Sequence, residues 1–365
     1  VLSSGGTQDR SLANFNVSFT RIDDEATPFA HRSGSKQHEE SAMSRFHLIA
    51  TLVAVAIGVA PAQAQDQFPT KPIRIVLPVP AGSALDVATR AIADELTARW
   101  GQQVLVEARP GAGGLIAGQA VATAAPDGYT LVGGPASLFT ILPAQKDKLP
   151  IDVNKDFAHI GMIVGSAVLF IAASPKLGIS TFPEFVALAK SKPGQIAVGT
   201  NGAGTLPHFA GLVLEKKGNV PITVVPYNQG GTMAAVSDIM GGRVHATIEG
   251  VFGLRGPLQS GDLKLIGQMA LTPEPEFPNV PTVAETIPGV SAIGFMNLAA
   301  PAATPEPILR RLAEGLREAL DSPKVKQRYA DLGIPIRHMT PAQTKAFIEN
   351  EQKVWWPLVK EFSPQ

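Results

Sequence analysis

The sequence predicts an α/β protein with mainly parallel sheets, arranged in two lobes. Three observations predict it. Short apolar, β-branched runs alternate with stretches of helical period, the order that builds parallel sheets. The strands number about ten, which fits two sheets of about five better than one. No Gly/Ser linker separates two halves of the chain. Strands should therefore cross between the lobes, and the crossings are expected near Gly161–Ser166 and Pro288–Ile293.

The elements follow in order. Ile73–Leu77 (IRIVL) is a continuous β-branched run, as expected for a strand buried on both faces. Ala84–Trp100 carries Leu85, Ala88, Ile92 and Leu96 at spacings of three and four, one face of a helix. Val104–Val106 and Tyr129–Val132 are the next strands, separated by a helical Ala117–Ala125. Ala167–Ala173 (AVLFIAA) is a long apolar strand. Thr181-x-x-Glu184 then forms a capping box, with the Thr side chain and Glu side chain each satisfying a helix-end N–H. Ile196–Thr200, Ile222–Val225, Val244–Ile248 and Leu263–Gln268 are four further strands. Thr304-Pro305 and Thr340-Pro341 each place an N-cap before a proline at the first helical position.

Composition narrows the function. The 365 residues are 45% apolar, ample for a buried core, and hold 31 basic against 31 acidic residues. Without a basic excess, nucleic acid and anionic membrane surfaces are not expected partners. Cysteine is absent, which removes disulfides and thiolate chemistry. Residues 1–42 are polar with no sustained period and read as a disordered extension upstream of a true start at Met43. Met43–Ala64 has a positive Arg45, an apolar Leu48–Ala60 and an Ala62-Gln63-Ala64 cleavage site, the three parts of a signal peptide. Cleavage near Ala64/Gln65 and a periplasmic destination are the expectation. The expected organisation is 1–42 extension, 43–64 signal peptide, 66–165 with 290–365 as lobe 1, and 166–289 as lobe 2.

Enzyme motifs do not match. Gly111–Gln119 (GAGGLIAGQ) has the glycine spacing of a phosphate loop, but Gln119 stands where that loop needs lysine. His159, His208, His245 and His338 follow the signal peptide, and no two of them are four residues apart, so no metal is expected. No cofactor or catalytic residue is predicted. Instead, four loops of small residues each follow a strand. They are Pro80–Ala84, Gly134–Ser137, Gly199–Phe209 and Pro226–Asp238. Three open a helix within the loop or just after it, and Gly134–Ser137 should do the same. A helix N-terminus carries about half a positive charge and unsatisfied N–H donors, so it binds anions without lysine or arginine. Ser83-x-x-Asp86 is a capping-box variant, and Asp86 alone reads as a first-turn helix stabiliser.

Several segments together identify a family resemblance. They are PIRIVLPVPAGSALDVATRAIA, VLVEARPGAGG, AVATAAPDGYTLV, KDFAHI, GTNGAGTLPHFAG, VPYNQGGTMAAVSDIMGGRV and VPTVAET. The chain resembles the exported solute-binding components of tripartite tricarboxylate transporters, the Bug proteins, over about residues 68–362. The resemblance implies a two-lobe Venus-flytrap fold of the type II-like periplasmic-binding class, each lobe a mainly parallel sheet flanked by helices. It also implies a small carboxylate or dicarboxylate in the interlobe cleft and no enzymatic activity. By the family pattern, Pro80, Ala81, Gly82, Ser83 and Ala84 hold the near carboxylate, with Asp86 at the start of the following helix. Ser137 adds a polar contact. Asn201, Gly202, Thr205, Tyr227, Gly230, Gly231 and Thr232 supply the second lobe's contacts. Two positions depart from the pattern: Leu85 replaces a hydroxyl residue, and Asn228-Gln229 replaces Lys-Gly. The implied partners are the carboxylate and the permease subunits of the transporter, with the receptor itself a monomer. Two other readings stay open: a periplasmic sensing subunit for a signalling receptor, and an enzyme acting on a carboxylate with Asp86 or His208 as base.

Overall fold

A computed structural model describes residues 68–145 and 148–363. The predicted extension and signal peptide lie outside the described residues. Nine strands form one twisted, mixed sheet in the order β2-β1-β3-β9-β4-β7-β5-β6, with β8 also paired to β4. The first part contains β1 (Ile73–Leu77), β2 (Val104–Ala108) and β3 (Thr130–Pro135), mutually parallel around β1. The second part contains β5 (Ile196–Thr200), β6 (Ile222–Pro226) and β7 (Ala246–Gly250), mutually parallel around β5, with β8 (Lys264–Gln268) beside β4. This is the two-lobe α/β class that the alternation of strands and helices predicts, but the strands join in one sheet rather than two of about five, because β4 pairs with strands of both parts.

Two strands run through both parts. β4 (Phe157–Ala173) pairs with β9 (Ile293–Pro301) along its first stretch and with β7 and β8 along its last. The β4–β9 register slips at three points, between His159 and Gly161, Met162 and Val164, and Val164 and Ala167. Each irregularity bends the strand locally. The sequence reading starts this strand at Ala167, ten residues late, and puts a crossing between the lobes at Gly161–Ser166, which here lies within the strand. In the fold Gly161 and Gly165 permit close approach. A Cβ on Gly165 would lie 2.3 Å from Arg337 Cβ, and one on Gly161 would lie 2.9 Å from Leu316 Cδ2.

Helices cover both faces. In the first lobe, α1 (Ala84–Trp100), α9 (Glu306–Asp321) and α10 (Pro323–Leu332) bury Ile92, Leu96, Leu316 and Tyr329 against β1 and β9. On the opposite face α2 (Leu115–Ala122) and α11 (Pro341–Phe362) pack over β3 and β4, with Trp355 buried. β3 leads through Ser137–Ile141, a single turn of π-helix, into α3 (Leu142–Gln145). The wide turn is held by α11: Gln352 Nε2 donates to Phe139 O at 2.8 Å and Trp356 Nε1 donates to Thr140 O at 3.0 Å. In the second lobe α4 (Phe182–Ser191) and α5 (Leu206–Leu212) bury Phe182, Phe185 and Phe209. There α6 (Gly231–Met240) and α7 (Val251–Gln259) bury Val236, Ile239 and Leu254 on the other side. A short α8 (Val283–Thr286) follows β8.

The capping expectations hold at two ends and fail at a third. Thr181 with Glu184 and Thr340 with Gln343 each form the reciprocal box. Thr304 does not cap α9: its hydroxyl turns back to donate to Pro301 O at 2.7 Å, and Pro305 occupies the cap position. The hydroxyl and the N–H of Thr304 both bond the carbonyl that ends β9.

Burial at the centre of the first lobe makes stability depend on pH. His159 on β4 accepts from Asn297 Nδ2 at 2.8 Å and packs edge-on to Phe139. Burial, and then the positive charge of Lys345, push its pKa down to about 4 from the ordinary 6.5. Below pH 6.5 the unfolded chain therefore takes up a proton that the folded chain refuses. Stability falls as pH falls from 6.5 to 4, by up to about 3 kcal/mol from this group. In guanidinium titrations, the native chain is expected to lose more stability than His159→Gln between pH 7 and pH 4.5. Equal losses would exclude this role.

Candidate ligand-binding site

The C-terminal ends of two sets of three parallel strands, β1–β3 and β5–β7, open onto one cavity of about 290 Å³. From the first lobe, Pro78–Pro80 follow β1, Pro110–Gly114 follow β2, and Ala136 and Ser137 follow β3. From the second lobe, Asn201–Ala203 and Thr205 follow β5, Tyr227, Asn228, Gly230 and Gly231 follow β6, and Phe252 follows β7. The crossing strands supply the floor through Val164, Ala167, Leu169, Gly294 and Phe295. Ligands of open α/β sheets bind where strand ends feed into helices, because the helix N-termini gather there. Here α1, α2, α5, α6 and α7 all begin within a few residues of the lining. Among the described residues of that lining there is no lysine, arginine or histidine.

Eight of the predicted site residues line this cavity: Pro80, Ser137, Asn201, Gly202, Thr205, Tyr227, Gly230 and Gly231. Ala81, Gly82, Ser83, Ala84, Asp86 and Thr232 lie outside the lining. The first loop uses its donors internally. Gly82, at φ +80°, turns its N–H onto Asp86 Oδ2 at 2.9 Å, and Ser83 N–H donates to Pro80 O at 3.2 Å. Asp86 is buried and also takes Arg90 Nε at 2.9 Å. Its carboxylate therefore braces the loop and the first turn of α1, as the capping-box variant suggests. Thr205 caps α5 and donates to Gly202 O at 2.9 Å, closing the turn that shapes the second-lobe rim. Tyr227 lines the cavity, and its hydroxyl donates to Asp238 Oδ2 at 2.7 Å. Burial, and then the bond to Asp238, push the Tyr227 phenol up to about 12. His208, a candidate base for an enzyme, lies outside the lining. Its ring packs edge-on to Phe209, and burial holds its pKa below the usual value.

Two features of the cavity escape the sequence reading. The Gly111–Gly114 loop lines it, although the absence of a lysine argues against a phosphate loop there. The signal was present: like the predicted loops, this one joins a strand to a helix through small residues. The second is Glu249 at the end of β7. Its carboxylate is buried, with Oε2 accepting from Asn201 Nδ2 at 2.8 Å and from the Thr232 hydroxyl, and Oε1 accepting from Gly250 N–H at 2.8 Å. Burial raises its pKa, and the Thr232 and Gly250 bonds oppose that rise. Thr232 thus acts on the cavity through Glu249 rather than by lining it. A lone acid at a strand end carries no pattern that would mark it in advance.

No cluster of three or more metal-ligating side chains occurs among the described residues. Nor is any described helix long and apolar enough to cross a membrane.

Both the sequence and the shape match known proteins. The sequence profile described as "Tripartite tricarboxylate transporter family receptor" (TctC) matches residues 88–363. A UPF0065 protein of Bordetella bronchiseptica is 33% identical over 84% of this chain and 90% of its own length. Protein BugT of Bordetella pertussis is 31% identical over 87% of this chain and 98% of its own. The structure of MatC from Rhodopseudomonas palustris, solved with bound malate, superimposes with a TM-score of 0.71. It is 28% identical and covers 80% of this chain and all of MatC. With the profile spanning most of the described residues, the chain belongs to the tripartite tricarboxylate transporter receptor family, a family of solute-binding receptors.

Proposed function

We propose that the chain is an exported, monomeric receptor that captures a small carboxylate or dicarboxylate and delivers it to the permease of a tripartite transporter. It acts by binding and release, without chemistry on the ligand. The observation that carries this reading is a single cavity ringed by helix N-termini from both lobes, with no basic side chain in its lining. Such a ring offers N–H donors and partial positive charge to an anion from several directions. Main-chain donors to a charged group contribute about 1.5–3 kcal/mol each. A few of them are enough to offset ordering costs and leave about −8 kcal/mol, a micromolar Kd.

In this reading residues 66–165 with 290–365 make one lobe and 166–289 the other. The lobes flex on β4 and β9. The ligand enters between them, the first-lobe loops take its carboxylate, and the second lobe closes over it. Closure changes the outer surface, and the permease recognises that surface rather than the ligand. MatC, a family member, holds malate, which supports the ligand class. Calorimetric titration with a panel of mono- and dicarboxylates tests the proposal. Micromolar binding of at least one member is expected. Binding confined to neutral sugars or to cations would overturn it.

A further inference from the structure

Building on the carboxylate reading of the cleft, we propose that the ligand carries a hydrogen-bond donor, ammonium or hydroxyl, beside its carboxylate. Glu249 and Asn201 are the pair that reads this donor and sets specificity.

The argument starts from which polar groups the cavity leaves over. Glu249 is the one carboxylate among its lining residues, and no cationic side chain lines the cavity with it. Three donors hold it in place: the Asn201 amide and the Thr232 hydroxyl on Oε2, and the Gly250 N–H on Oε1. A carboxylate oxygen has two lone pairs, so Oε1 keeps one free. Asn201 gives its Nδ2 to Glu249, and this fixes which way the amide faces. Its Oδ1 is buried and has no hydrogen-bond partner. A buried acceptor left unmade is costly, and native structures rarely keep one without a use. Two acceptors are thus left at the ends of β5 and β7, with no protein donor for them.

A ligand carboxylate does not fit there, because it brings only acceptors to a place that already has two acceptors and no donor for them. An N–H or O–H of the ligand does fit. The ligand is therefore oriented, with its carboxylate toward the helix mouths away from Glu249 and its donor toward Glu249 and Asn201. Burial already disfavours the charge on Glu249, and a ligand ammonium would offset that cost most directly.

Matched triplets test this by calorimetry on the full exported chain at pH 7.5. They are propionate, lactate and alanine; succinate, malate and aspartate; and glutarate, 2-hydroxyglutarate and glutamate. In whichever triplet binds, the hydroxy or amino member is expected to bind about tenfold or more tightly than its unsubstituted parent. The hydroxy and amino arms separate the two donors. In Glu249→Gln, which keeps the side-chain volume and an acceptor for Gly250, that advantage is expected to shrink below about threefold. A thermal melt of the same sample reports that the variant is folded. Parents that bind as tightly as their substituted partners in the native chain overturn the inference, as does an advantage that Glu249→Gln leaves unchanged. Absence of binding by every carboxylate overturns the carboxylate reading itself.

Discussion

Ser137→Trp is expected to abolish carboxylate binding, by a hundredfold or more, while the protein stays folded. Ser137 is half-buried at the wall of the cavity, on the first residue of the π-helical turn after β3. Its backbone is held from behind, where α11 binds the carbonyls of Phe139 and Thr140. The turn therefore cannot retreat to make room for an indole. A cavity of about 290 Å³ would lose much of its space to that ring, and the two lobes would be propped apart. A hundredfold loss corresponds to about 2.7 kcal/mol, less than the total binding energy of a micromolar ligand. Calorimetry with the best-binding carboxylate, beside a thermal melt of the same sample, separates the two readouts. Retained affinity would place the ligand elsewhere.

Phe139→Ala carries the largest expected cost in stability. Phe139 is fully buried two residues further along the same turn. Its ring meets Phe157 and His159 edge-on, at centroid distances of 5.4 and 5.3 Å. It also covers Gly134 so closely that a Cβ there would lie 2.0 Å from Phe139 Cε2. The ring thus fills a site already fitted to it from the strand side, and collapse after truncation is blocked by β3 and β4. Fully buried phenylalanine truncations of this kind cost about 3–5 kcal/mol. Guanidinium unfolding should show that loss as a shift in midpoint at unchanged slope. A cost under about 1 kcal/mol would mean that the core around the turn closes over the gap.

Much of this architecture was legible in the amino-acid order, and the failures have physical causes. Ile73–Leu77 and Ile196–Thr200 were readable as short, mostly apolar runs that end at turn residues, although Arg74 in the first is exposed. Thr181 and Thr340 were readable because a capping box is a local exchange between two side chains and two N–H groups. The first stretch of β4 was hidden, because glycines at 161 and 165 serve neighbours distant in sequence, Leu316 and Arg337. The small-residue loops pointed to the cavity, since strand end, glycine and helix start are adjacent in the chain. Glu249 was not readable, because its meaning comes from Asn201 and Thr232, which only the fold brings to it.

The path of the chain through the sheet also bears on how the molecule is made. β9 is inserted between β3 and β4, strands completed more than a hundred residues earlier, and α11 then braces the π-helical turn beside them. The first part of the sheet cannot be finished until β9 is present. The strands β5, β6, β7 and β8 come from one uninterrupted stretch. Translation order and assembly order are therefore inverted: the segment made first waits longest, with the unsatisfied edge of β3 open to wrong partners. A chain that leaves its longest-lived exposed edge at the start gains from being kept unfolded until its end has been synthesised.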